Sequence, residues 1–323
     1  MILDDIRYAL RQFAKAPGFT LTAILTLALG IGATTAIFTL VNAVLLKSLP
    51  VADPASLIRV GDNENCCVNG GMQENWSLFS NFAYKQFRDN TPGFAQLAAF
   101  QAGSNQYGVR RQGSDHPAES FVGTFYSGNA FDTLGLSAYA GRLLRPSDDV
   151  QGAPPVAVMS FRTWQQKFGQ DPSVVGGTFI VNGTPFTIVG ITPPGFYGER
   201  LTSDPSSFWI PLADEPVLDP LGGFLERGDL QWLNLLGRLK PGASEKQVEA
   251  QLQVELRQYL RSPLSKVEPR DMVLVPKQTL HLAPGGAGVQ RMQEQYKDDL
   301  HLLMWIASFV LLIACANLAN LML

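Results

Sequence analysis

Between Gly18 and Leu46 the chain runs for 29 residues, "GFTLTAILTLALGIGATTAIFTLVNAVLL", without one charged side chain. No other feature restricts the fold as much, because such a run has three fates: a cleaved export signal, the core helix of a soluble protein, or a helix across a bilayer. A signal core is about 7–15 residues long, and a soluble helix of this length keeps a polar face. This run has neither the limit nor the stripe. It holds fourteen Leu, Ile, Val or Phe residues, each favouring insertion by about 0.3–0.6 kcal/mol near a helix centre. Spanning is the reading that the residues favour.

The segment before it, MILDDIRYALRQFAKAP, repeats Leu3, Ile6, Leu10 and Phe13 at helical spacing, with Arg7, Arg11 and Lys15 on other faces. Residues 1–17 are therefore expected to form an amphipathic interfacial helix, turned at Pro17-Gly18 into transmembrane helix 1 over 18–47. A second uncharged run of 22 residues closes the chain, Leu302 to Leu323, with Trp305 where an interfacial aromatic would sit. Transmembrane helix 2 is expected over 302–323. From Val289 onward there is no Gly or Pro, so 285–301 reads as a stalk continuous with that span. Arg7, Arg11 and Lys15 outnumber Lys47 on the far side, which places the N-terminus in the cytoplasm and residues about 48–299 outside it. The chain stops inside apolar sequence, as a fragment with more to follow would.

Small residues Thr22, Thr26, Gly30 and Thr34 recur four apart, and Asn317 and Asn320 share a face of the second span. These are the expected helix-packing residues, since small side chains allow close approach and amides in lipid need partners. Two helices bury little, so further helices or a partner protomer, as in a homodimer, are expected to cover the rest.

The middle, rich in Gly, Pro, Asn and Asp, reads as an α+β domain facing water. Ser56–Val60 is strand-like, Ser80–Asn90 helical with Phe82, Tyr84 and Phe87 inward, and Phe94–Val109 returns as strand. A second such unit runs through strand 230–239, a helix after Ser244 with Gln247 at the capping-box position, and a strand at Met272–Val275. Between them come strand 119–125, a short helix 129–134 ended by Gly135, strand 156–159, helix 160–168, and "TFIVNGTPFTIVG", whose Asn182-Gly183 marks a hairpin. The expected architecture is a split β-α-β subdomain, 48–112 with 229–284, carrying an inserted α+β subdomain, 113–228.

Chemistry is sparse. No Gly-rich loop precedes Lys-Ser/Thr, so the chain has no P-loop of its own. His116, His281 and His301 lie far apart without HExxH or Cys/His spacing. "GGAG" at Gly285–Gly288 follows no dinucleotide-type strand and reads as a hinge for the stalk. No nucleophile elbow is present. Catalytic, cofactor-binding and metal-ligating residues are none. Adjacent Cys66 and Cys67 suit either a vicinal disulfide outside the cytoplasm or free or externally paired thiols. A net charge of −3 gives no basic surface for nucleic acid.

The stretches "FVGTFYSGNAFDTLGLSAYAGRLLRPSDD" and "PVAVMSFRTWQQKFGQDPSVVGGTFIVNGTPFTIVGITPPGF", with "GRLKPG" at 237–242 and "LLIACANLANLML" at the end, resemble MacB/FtsX-type ABC permeases. The matching positions include Asn129–Gly135, Gly141-Arg142, the Trp164 helix and Asn182-Gly183, and the resemblance covers nearly the whole chain. It implies a porter-like fold for the split subdomain and placement in a bacterial inner membrane. It also implies a separate cytoplasmic ATPase that binds the ATP, an extracytoplasmic domain moved through stalk helices, and a periplasmic adaptor as a possible partner. The rival is a membrane-tethered module that recruits an envelope hydrolase or adaptor without transport. The family carries no catalytic residues to transfer, and scaffold does not fix substrate.

Overall fold

The computed structural model describes residues 17–61, 78–219 and 223–322. They form two compact units, one drawn from 1–47 and 292–323, the other from 48–291. The expected helix at 1–17 and Cys66-Cys67 lie outside the described residues.

The first unit is helical. Helix α1, Pro17–Val41, passes into a five-residue π segment, Asn42–Leu46, and helix α7, Arg291–Met322, supplies the second arm. Thr22, Thr26, Thr34 and Thr39 each donate their hydroxyl to the carbonyl four residues back, at 2.8–2.9 Å, which satisfies them without another partner. Shielded positions on α1 are Thr20, Ala23, Leu27, Gly30, Thr34, Ile37 and Val41, and on α7 Leu300, Met304, Ala307, Leu311 and Ala314. Both stripes alternate steps of three and four, the seven-residue seam of paired helices. Many other apolar side chains point outward, among them Leu21, Leu25, Leu29 and Phe38 on α1 and Trp305, Phe309 and Leu312 on α7. Two helices long and apolar enough to span a bilayer thus flank the domain.

The second unit is built on strands β1 (Leu57–Gly61), β2 (Phe94–Gln101), β10 (Leu233–Leu239) and β11 (His281–Pro284), with helices α2 (Asn81–Asn90) and α6 (Glu245–Arg261). The order β11-β1-β10-β2 is antiparallel throughout. Each β-α-β unit therefore leaves room between its two strands for one strand of the other, the split β-α-β arrangement. Alternation along β2 sends Leu97 and Ala99 into the core shared with α2 and α6, and Ala98 and Phe100 into a second core. That second core holds Tyr126, Phe131 and Trp209.

The remaining strands are β3 (Asn105–Arg111), β4 (Glu119–Tyr126), β6 (Val156–Met159), β7 (Thr178–Val181), β8 (Thr184–Ile191) and β9 (Phe208–Pro211), with β5 (Ala140–Gly141) on β8. Their pairings run β4-β3-β7-β8-β6-β9 and back to β4, so the six strands close a ring and leave no edge among themselves. A single ladder pair, Phe100 with Tyr126, links the ring to the split sheet, supported by Ser127 N donating to Ala99 O and Phe125 N to Gln101 Oε1. Short helices α3 (Ala130–Leu134), α4 (Phe161–Phe168) and α5 (Glu215–Leu218) complete the unit. Ser80 and Ser160 cap α2 and α4 through their hydroxyls. The Asn182-Gly183 turn has φ of 44° and 90°, the conformation a two-residue hairpin needs.

Four expectations are corrected. The strand placed at 94–109 is two strands broken at Ala102–Ser104, and the second, β3, pairs with β4 and β7. It therefore lies in the ring, not on the near side of the 112 boundary. Met272–Val275 is not a strand; 3-10 turns occupy Pro269–Asp271 and Val275–Lys277, each with a proline that withholds a ladder donor. The returning strand is β11. Ser244 begins α6 with its backbone carbonyl, which accepts from Gln247 and Val248 N, while its hydroxyl makes no cap bond. The GGAG segment, read as a hinge, is held by the contacts described next.

Candidate functional site

In the helix pair, Gly30 lies close against α7. A Cβ there would lie 3.2 Å from Leu311 Cδ1 on α7. Gly30 and Thr34 belong to the shielded stripe, whereas Thr22 and Thr26 are exposed. Residues spaced by fours advance about 40° per step around a helix of 3.6 residues per turn, so a four-residue series cannot stay on a seven-residue seam. Asn317 and Asn320 lie in α7, with side chains outside the described residues, and Cys315 is a free, exposed thiol.

The chain leaves the second unit through a clamp. Gly285 N donates to Leu57 O at 2.7 Å, Leu49 N to Gly286 O at 2.9 Å, and Val289 N to Glu199 O at 2.9 Å. The bonds to Leu49 and Leu57 bring the start of the unit beside its end. Gly288 has φ of 72°, and a Cβ on it would come within 1.9 Å of Glu199 O, so glycine serves close approach here rather than freedom. Beneath the clamp, Tyr126 Oη donates to the buried Glu199 carboxylate. Burial first, and then the Glu199 charge, hold the Tyr126 phenol far above its ordinary range. Arg200 Nε lies 2.9 Å from Glu199 Oε1, and its other nitrogens donate to the carbonyls of Gln101, Ala102 and Gly103. One ion pair thus ties the clamp to the end of β2. Nothing in the residue pattern announces this cluster, since Glu199 and Arg200 sit in a loop and their partners are distant in sequence.

A cleft of about 630 Å³ opens beside α4, reaching Phe121, Phe161 and Tyr197. Its polar groups are largely spent on one another: Ser120 on Gln106 at 2.7 Å, Gln106 on Asp204 at 3.2 Å, Ser160 on Thr163 at 2.8 Å, Arg162 on Gln166 at 3.3 Å. His281 Nδ1 meets Glu249 Oε1 at 2.6 Å, joining β11 to α6. Among the described residues no group of three or more His, Cys, Asp or Glu is placed to hold a metal ion. The conspicuous arrangements are a helix pair with apolar outer faces and, within the domain, the bonds that hold 285–289 to Leu49, Leu57 and Glu199.

The sequence model of the MacB-like periplasmic core domain matches residues 20–254. No curated protein matches. Among solved structures, the extracellular domain of the noncanonic ABC-type transporter YknZ from Gram-positive bacteria is 12% identical, covering 70% of this chain and 99% of that one with a TM-score of 0.46. The periplasmic region of MacB from Actinobacillus actinomycetemcomitans is 13% identical, with coverages of 76% and 94% and a TM-score of 0.48. A domain of a putative permease protein from Porphyromonas gingivalis is 14% identical, with coverages of 72% and 92% and a TM-score of 0.47. It is the family model, spanning most of the chain from the first apolar helix into α6, that decides the matter: the chain belongs to the MacB-like periplasmic core domain family, the permease components of MacB/FtsX-type ABC transporters.

Proposed function

We propose that this chain is the force-transmitting part of an ABC permease, in which ATP bound and hydrolysed by a separate cytoplasmic subunit moves the extracytoplasmic domain for export or envelope work. The observation that carries the reading is the junction at 285–291. Residues 285–289 are bonded to the domain at Leu49, Leu57 and Glu199, and after Gln290 the chain enters an unbroken helix of 32 residues. At about 1.5 Å per residue that helix extends about 48 Å, more than the roughly 30 Å of bilayer hydrocarbon. In this reading a push or rotation applied within the membrane is carried along that helix towards the domain.

In this reading the N-terminus faces the cytoplasm, following Arg7, Arg11 and Lys15, and the membrane is the bacterial inner membrane. The domain works as two lobes, the split sheet and the ring, joined at Phe100 and Tyr126. The outward apolar faces of α1 and α7 meet lipid and further helices, from a second copy or another permease half, and a periplasmic adaptor is a candidate partner.

The test is a permease containing this chain, reconstituted with its nucleotide-binding subunit. Spin labels on α6 and β8 should report a nucleotide-dependent distance change, and two glycines inserted after Tyr296 should abolish it while the domain stays folded. An unchanged response after that insertion, or no response to nucleotide in the parent, would refute the proposal.

A further inference from the structure

The corner between β9 and α5, Pro211–Asp214, is held by one carboxylate from a distant turn. Asp149 Oδ1 accepts from Ala213 N at 2.8 Å and its Oδ2 from Gly128 N at 2.9 Å. One carboxylate thereby clasps the corner to the turn that opens α3. Its neighbour Asp148 accepts from Arg142 Nη1 and Nη2 at 2.5 and 2.8 Å and from Arg145 N at 2.8 Å. Asp214 has no such support. It is 6% exposed, and among the described residues its Oδ2 has no hydrogen-bond partner.

The charges around Asp214 make ionisation costly. Asp149 and Asp148 both act on it with the same sign. The cations of the region serve other groups: Arg142 is paired with Asp148, Arg88 with Asp89, and the fields of Lys85 and Arg88 act on Asp149. Tyr84, on α2, also feels Asp149. Glu215, next in the chain, accepts from Phe224 N and Leu225 N at 3.2 Å and is flanked by Asp219 and Glu226. Burial first, then Asp149 and Asp148, push the Asp214 carboxyl up to about 7. Around neutral pH this buried group stands between its neutral and charged forms.

We propose that Asp214 is a protonation latch of the extracytoplasmic domain: neutral, it lets the Asp149 clasp close over the β9–α5 corner, and ionised, it repels Asp149 from within that corner and releases the Ala213 and Gly128 amides. The latch joins the last strand of the ring to the turn before α3, whose Phe131 and Leu134 lie in the core beneath the split sheet. A domain outside the cytoplasm meets ambient pH directly, so acidification tightens this joint and alkalinity loosens it. The sign follows from linkage. The closed corner binds the Asp214 proton more tightly than an open one, where the carboxyl titrates near 4. Closure is therefore strongest at low pH, weakens as pH rises towards 7, and stops changing above that.

The experiment is hydrogen exchange on the full chain in detergent, reading Ala213 and Gly128 after correction for the intrinsic rate. Between pH 6 and pH 8 the opening equilibrium should rise about tenfold, as a folded value near 7 and an open value near 4 require, and then level off. Leu235, central in β10, should show no such rise. Asp214→Asn, neutral at every pH, should flatten the profile at both amides. A wild-type profile already flat, or a rise that persists in Asp214→Asn, overturns the latch. Should that variant not fold, the Asp214 carboxyl carbon resonance of the wild-type chain decides: a midpoint near 7 supports the proposal, and one near 4 refutes it.

Discussion

Trp209 and Trp305 are the same side chain in opposite surroundings. Trp209, on β9, is 0% exposed and packs against Tyr126, Phe131 and Phe196; Trp305, on α7, is 64% exposed. In the domain, apolar side chains converge on two cores and polar ones face out, as burial away from water demands. In the helix pair the arrangement is inverted. Small residues such as Gly30, Ala307 and Ala314 share the inward stripe with Leu27, Ile37, Leu300 and Leu311, while most of the described Leu, Ile and Phe side chains face out. Where the surroundings are as apolar as leucine, no hydrophobic gain comes from turning leucine inward, and close contact between backbones becomes the source of cohesion. The exposed faces of the two regions suit different solvents.

Substitutions that sharpen that contrast begin with the tryptophans. Trp209→Ala should cost the domain about 3–5 kcal/mol, read in denaturant unfolding of the chain in detergent. Trp305→Ala should leave that transition in place and alter only the depth or tilt of its helix. Equal losses would erase the distinction. Next come the glycines. Gly288→Ala, with its Cβ driven into Glu199 O at positive φ, should lose about 3 kcal/mol. Gly32→Ala, which meets nothing within 4 Å, should be neutral within error by the same measurement.

A smaller effect is expected inside the helix pair. Gly30→Leu overfills the contact with Leu311 and should weaken the pairing by about 1–3 kcal/mol, seen as loss of cross-linking between cysteines placed at Ala23 and Ala314 flanking positions, with the domain's unfolding unchanged. The smallest is Tyr259→Phe. Its hydroxyl meets Ser80 Oγ at 2.6 Å and Gly228 O at 2.8 Å, so its loss should destabilise the domain by about 1 kcal/mol and leave the helices unaffected.

Much of this was legible because local chemistry and global fold agree. The apolar helices, the Ser80 and Ser160 caps, the Gly135 stop and the Asn182-Gly183 turn are written in a few adjacent residues each. The split β-α-β pattern was visible through α2 and α6, whose buried faces repeat at helical spacing. What was missed depends on distant partners. Closure of the ring needs β4 to meet β9 across more than eighty residues, and strand β11, "HLAP", has almost no alternation to announce it. Three glycines in GGAG suggest looseness until the backbones of Leu57, Pro54 and Glu199 are seen pressed against Gly285, Gly286 and Gly288 in turn. Of the expected helix-packing residues, Gly30 and Thr34 fall on the shielded stripe, while Thr22 and Thr26 follow a period of four that the seam does not keep.

The central claim is that the two units face different solvents, and three equally exposed side chains test it: Leu29 at 72%, Leu312 at 64% and Val273 at 71%. Spin labels placed singly at these positions, in the chain reconstituted into liposomes, can be challenged with oxygen, which concentrates in lipid, and with a water-soluble nickel chelate. The labels at 29 and 312 should relax with oxygen and ignore nickel, and the label at 273 should do the reverse. Nickel access at 29 and 312 matching that at 273 would contradict the account.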